Sequence, residues 1–109
     1  MELQDIRARI DRVDEQILTL FLERMRLAEE VAEYKREHHL PIFNQARERE
    51  ILDRVAEQSA GHARYAVPLF ATLMELARTR QAELLSDPDE HNAPNEHAET
   101  IRKEVQHEK

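Results

Sequence analysis

Residues Leu3 to Lys35 contain neither Gly nor Pro, and an apolar ladder climbs them at alternating steps of three and four. Its rungs are Leu3, Ile6, Ile10, Val13, Ile17 and Leu20, then Leu27, Val31 and Tyr34. That spacing marks one amphipathic helix. His38-His39-Leu40-Pro41 supplies the breaker, because Pro41 disfavours helix at the residue before it. A helix from about Glu2 to about Glu37 is expected, ~50 Å long at ~1.5 Å per residue. A compact domain of this size has a radius of gyration of only about 13 Å. Such a seam cannot be covered by the shorter helices that follow it in the same chain. The simplest cover is a second copy, so a homodimer with the long helices packed together is expected. One rung is wrong: the step from Leu20 to Leu27 passes through Arg24.

The rest of the chain agrees with an all-α fold. Its 109 residues suffice for one small domain. A single Gly and 5% aromatic residues argue against sheets and tight hairpins. There is no Cys, hence no disulfide framework and no thiolate chemistry. The net charge of −7 argues against a nucleic-acid partner. The first residues carry Glu2, Asp5, Arg7 and Arg9 where a signal peptide has an apolar run. The longest uncharged stretch, Tyr65 to Met74, is far short of the ~20 apolar residues that span a bilayer. A soluble cytoplasmic protein with no membrane partner is expected.

Asn44 is a good N-cap for a second helix, able to accept from the backbone N–H of Ala46 or Arg47. That helix buries Ile51, Leu52, Val55 and Ser59 and ends at Ala60-Gly61, with Gly61 as the left-handed cap. A third helix is expected over Tyr65 to Leu85, with Pro68 in its first turn. Its stripe is Val67, Phe70, Met74, Ala77, Gln81 and Leu84, so Gln81 is a second polar rung. Residues 1–85 therefore read as the folded domain. Residues 86–109 hold seven acids against three bases, with Pro88 and Pro94, and read as an acidic tail, disordered or weakly helical.

Several polar groups fall on faces that the pattern reserves for hydrocarbon. At about 100° per residue, Arg24 and Lys35 lie within about 20° of each other, about 16 Å apart along the helix. Arg7 lies about 100° round from Arg24, poorly placed for the same pocket of its own chain, and in an antiparallel dimer it could reach the partner's. On the second helix Glu48 aligns with Leu52, Val55 and Ser59, and Arg47 sits beside it. Each has an ordinary explanation taken singly. A lone Arg sets register or snorkels, Arg47 and Glu48 fit a solvated first turn, Asn44 is a cap, and Gln81 fixes register. His38, His39 and His62 have no metal-ligand spacing. Taken together, a cation excess on inward faces of an acidic chain points to one pocket for a small dianion. Arg is the side chain suited to bidentate carboxylate binding.

The ordered set Ile6-Arg7, Ile10-Asp11, Val13-Asp14, Glu23-Arg24-Met25, Val31-Ala32, Tyr34-Lys35, Pro41-Ile42 and Arg47-Glu48 resembles the type II, all-α chorismate mutases. The match continues through Tyr65, Leu69-Phe70, Met74 and Gln81, covering residues 3 to about 84. The resemblance implies an intertwined six-helix homodimer of three-helix chains, each with one very long N-terminal helix. It implies the Claisen rearrangement of chorismate to prephenate in phenylalanine and tyrosine biosynthesis, with no metal or cofactor. Arg24 and Arg47 would hold the substrate carboxylates, with Arg7 reaching in from the partner. Lys35 and Gln81 would donate to the ether oxygen, and Glu48 would accept from the ring hydroxyl, near the backbone of Asn44. Two positions depart from the family pattern: Asn44 stands where Asp is usual, and Ala77 where Ser is frequent. The alternatives are an isochorismate pyruvate lyase or aminodeoxychorismate mutase on the same scaffold, or a non-catalytic dimerisation or regulatory module. The lyases typically lack an acid after the second-helix Arg, so Arg47-Glu48 favours the mutase.

Overall fold

The computed structural model describes residues 2–86, and the expected acidic tail lies outside them apart from Ser86. The chain forms three helices: α1, Leu3–His38; α2, Gln45–Gln58; and α3, Ala63–Leu85. No strand occurs among the described residues. No helix among them is long and apolar enough to cross a membrane. α3 packs against both α1 and α2, so the residues that face α3 form the core.

Chain chemistry sets the helix ends. At the start of α1 the Glu2 N–H donates to the Asp5 carboxylate at 3.2 Å, satisfying one otherwise orphaned donor. At its end His39 takes a left-handed backbone, φ 53°. There the His39 N–H donates to the Arg36 carbonyl at 3.4 Å and the Leu40 N–H to the Lys35 carbonyl at 2.9 Å. This is a Schellman closure built on a residue with a Cβ. The Asn44 side chain accepts from the Arg47 N–H at 3.0 Å and caps α2.

Two boundaries differ from expectation. α2 stops at Gln58, and Ala60 as well as Gly61 is left-handed, with φ 49° and 88°. The His62 N–H donates to the Ser59 carbonyl at 2.9 Å across them, so the connection is a tight turn with two positive-φ residues. That turn lets α3 begin at Ala63, two residues early, which puts Pro68 beyond the first turn. Pro68 cannot donate to the Arg64 carbonyl. Arg64 and Pro68 are both exposed, so water can take the missing bond.

α1 presents different faces to the chain and to solvent. Ala28 and Ala32 are its buried residues, with Phe21, Arg24, Met25 and Lys35 half-buried along the same side. The small alanines let α3 lie close, and Met74 and Ile51 complete the core. The apolar ladder, by contrast, is exposed at every rung from Leu3 to Tyr34, with Leu20 at 63%. The described chain is elongated, 54 × 35 × 20 Å.

The left-handed His39 and Ala60 each carry a Cβ strain that glycine lacks. His39→Gly and Ala60→Gly should each raise stability by about 0.5–1 kcal/mol, the Cβ strain relieved exceeding the added chain entropy. The measurement is the urea midpoint at fixed protein concentration with an unchanged slope. A lower midpoint would mean that these side chains contribute contacts outweighing the strain.

Candidate active site

A pocket of about 310 Å³ opens between the C-terminal half of α1, the loop before α2, the first turn of α2 and the second half of α3. Its polar lining is Arg24, Lys35, Asn44, Arg47, Glu48 and Gln81, and its apolar lining includes Leu27, Val31, Ile42 and Ile51. A larger depression of about 430 Å³ lies beside Glu15, Gln16, Thr19 and Leu20, but residues of α1 alone line it. It is a groove along one helix, with no second element to enclose a ligand.

The centre of the pocket is a pair of hydrogen-bond donors held by local geometry. Lys35 leaves α1 on its in-chain face, and its ammonium donates to the Ile42 carbonyl in the loop. It donates also to Gln81 Oε1 on α3, at 3.2 Å. Gln81 is only 6% exposed, and its Nε2 donates back to the Ala28 carbonyl at 3.2 Å. The amide orientation is thereby fixed, oxygen toward the ammonium and nitrogen toward α1. An amide nitrogen carries two N–H groups and an ammonium three, so each retains a donor for a ligand. Burial lowers the Lys35 pKa below the ordinary lysine value, and the charge of Glu48 opposes that shift.

The other cations sit around this pair. Arg24 is half-buried and donates to the Leu73 carbonyl on α3 at 3.4 Å. Arg47 lines the pocket but was expected on a half-buried face, whereas its side chain is 54% exposed and paired with Glu50 at 2.6 Å. It stands in the first turn of α2, where solvent reaches it and an i, i+3 acid lies within reach. Asn44 is an exposed cap at the rim. Arg7 is outside the pocket, exposed and 17 residues before Arg24, which is about 26 Å along the helix. The sequence therefore brings together Arg24, Lys35, Asn44, Arg47, Glu48 and Gln81, and leaves Arg7 apart.

One residue of the arrangement escaped the periodicity reading. Arg78 on α3 forms a part-buried ion pair with Glu48 and lies over the Phe43 ring, 5.2 Å from its centroid. The signal was available, since Arg78 is four residues after Met74 and three before Gln81, both buried. Glu48 was expected to be the acid on the inside, and it is half-buried there. The cation that answers it was missed.

Chemically, the pocket offers three cations, one carboxylate, the buried amide of Gln81 and the capping amide of Asn44 over an apolar floor. Comparisons with known proteins agree with that composition. A family model described as Chorismate mutase type II matches residues 6–82. A chorismate mutase of Methanocaldococcus jannaschii is 33% identical over 94 residues, which cover 84% of this chain and 95% of that protein. A bifunctional chorismate mutase/prephenate dehydratase of Aquifex aeolicus is 46% identical over 54 residues, half of this chain but only 15% of the relative. The Escherichia coli (strain K12) protein of the same name is 35% identical over 83 residues, 73% of this chain and 22% of the relative. The chain thus spans a small fraction of the bifunctional relatives and nearly the whole of the archaeal one. With the family match running from the ladder of α1 through Gln81, the chain belongs to the chorismate mutase type II family.

Proposed function

We propose that this chain is a chorismate mutase of phenylalanine and tyrosine biosynthesis, working as a soluble cytoplasmic homodimer. The observation that carries the reading is the Lys35–Gln81 donor pair, set among Arg24, Arg47 and Glu48 in a chain of this family. In the rearrangement the ether C–O bond of chorismate breaks as a new C–C bond forms within the same molecule, giving prephenate. No proton is transferred, and the reading calls for no metal or cofactor. The flexible dianion must be held with its two ends close together. Arg24 and Arg47 bind its carboxylates and supply that orientation. Negative charge grows on the ether oxygen as its bond breaks. The remaining donors of Lys35 and Gln81 meet that charge, stabilising the transition state more than the substrate. Glu48 accepts from the ring hydroxyl beside the α2 cap at Asn44.

Incubation of the purified chain with chorismate should yield prephenate, identified by mass spectrometry or by acid conversion to phenylpyruvate. Pyruvate release from isochorismate without turnover of chorismate would instead make it a lyase on this scaffold. An inactive protein that still binds a dianion would make it a binding module.

Gln81 gives a sharper test of the donor assignment. In Gln81→Glu only the protonated carboxyl carries a donor, and an ionised one would face the Ala28 carbonyl where Nε2 now donates. Lys35 favours the ionised form and Glu48 the protonated one. Activity should therefore be low near neutral pH and rise as pH falls through the titration of the new carboxyl. A rate profile parallel to that of the parent protein would remove Gln81 from the ether oxygen.

Arg7 completes the site across the dimer in this reading, and the exposed ladder of α1 supports such a pairing. Arg7→Ala and Arg24→Ala should each abolish most activity as homodimers. Mixing the two proteins should restore a part, because one of the two sites in a mixed dimer then has an intact Arg7 and an intact Arg24. Proven subunit exchange without recovery would show that the sites are not shared.

A further inference from the structure

We propose that Arg78 is a positioning residue, which holds the Glu48 carboxylate turned away from Lys35. The inference rests on the reading of the pocket as the chorismate site. Arg78 does not line the pocket; it stands behind the wall that Glu48 forms. Its guanidinium donates to Glu48 Oε1, leaving Oε2 as the acceptor for a ligand hydroxyl. The side chains are 33% and 20% exposed, so the pair is less screened than those on the surface. The Phe43 ring backs the guanidinium on a third element, the loop whose Ile42 carbonyl holds Lys35. Arg78 is therefore held by contacts on two elements besides its own.

The need for such a device follows from the charges around Glu48. From α1 it meets Lys35 and Arg24, from α2 its neighbour Arg47, and from α3 Arg78. Glu48 acts on Lys35 through space. Without Arg78, the ammonium with which Glu48 already interacts through its charge is a partner open to it. A carboxylate that swung onto Lys35 would occupy the donor assigned to the ether oxygen and abandon the ring hydroxyl. Arg78 keeps the one acid and the central cation apart.

The test is a double-mutant cycle of Arg78→Met and Glu48→Gln. Alone, Arg78→Met should lower kcat/KM about tenfold or more, the scale of one hydrogen bond to a charged group. The loss should fall mainly on kcat, since the transition-state donor is diverted. Arg78→Lys should restore part of the loss. In the Glu48→Gln background the same substitution should change kcat/KM by less than about threefold. Equal losses in both backgrounds would overturn the proposal, because Arg78 would then not act through Glu48. Arg78→Gln replaces Arg78→Met if the latter fails to fold. The NMR chemical shift of the Glu48 carboxyl carbon at neutral pH, assigned through Glu48→Gln, gives a readout independent of turnover. Loss of Arg78 should move that resonance, and an unmoved resonance would equally overturn the proposal. A parent protein inactive on chorismate would defeat the mutase reading alone, and the carboxyl resonance would still decide the role of Arg78.

Discussion

A partly buried ammonium ties the three helices of this chain into one site. Lys35 grows from α1, reaches the Ile42 carbonyl in the loop and meets Gln81 on α3. A desolvated cation is tolerated only where acceptors surround it. That requirement fixes the approach of the loop and the register of α3 against α1. Gln81 then returns a bond to the Ala28 carbonyl, so the same contact closes a ring across α1 and α3. Asn44 follows from the loop as it leaves Lys35, and its cap sets where α2 starts and where Arg47 and Glu48 emerge. Positioning of the pocket is thus a consequence of satisfying one charge.

The two departures from the family pattern are mild when judged by this geometry. Asn44 caps α2 through its side-chain oxygen, an acceptor that aspartate and asparagine share. Ala77 lines the pocket without a hydroxyl, so it offers no hydrogen bond to a bound carboxylate. Its neighbour Arg78 adds a charge to the same stretch of α3, directed at Glu48. Both departures leave the cations, the carboxylate and Gln81 in the pocket lining.

Much of this was legible in the residues because periodicity is a strong signal over long helices. The Gly- and Pro-free run, the Asn44 cap and the inward placement of Lys35, Glu48 and Gln81 all followed from spacing. What spacing could not give were features decided by neighbours in space. Ala28 and Ala32 are the buried contacts of α1, yet alanine is too small to stand out beside the Leu and Ile of the ladder. Arg78 belongs to a charge pair whose partner lies 30 residues away in sequence. The direction of Arg47 depends on Glu50, which offers a local partner in the absence of a ligand. The early start of α3 depends on Ala60 accepting a left-handed backbone, which sequence preference assigns to glycine alone.

The continuity of α1 has an evolutionary consequence. The exposed ladder of its N-terminal half and the pocket-lining residues of its C-terminal half share one rigid rod, so the number of residues between them fixes their relative direction. Inserting or deleting a single residue between Leu20 and Ala28 would rotate one face against the other by about 100°. Every rung could remain hydrophobic and every charged residue could be retained, yet the two halves would no longer point to compatible places. Divergence of such a protein is therefore confined to substitution along α1. Changes of length must accumulate elsewhere, in the turns between helices, and the spacing within α1 should outlast the identity of most of its residues.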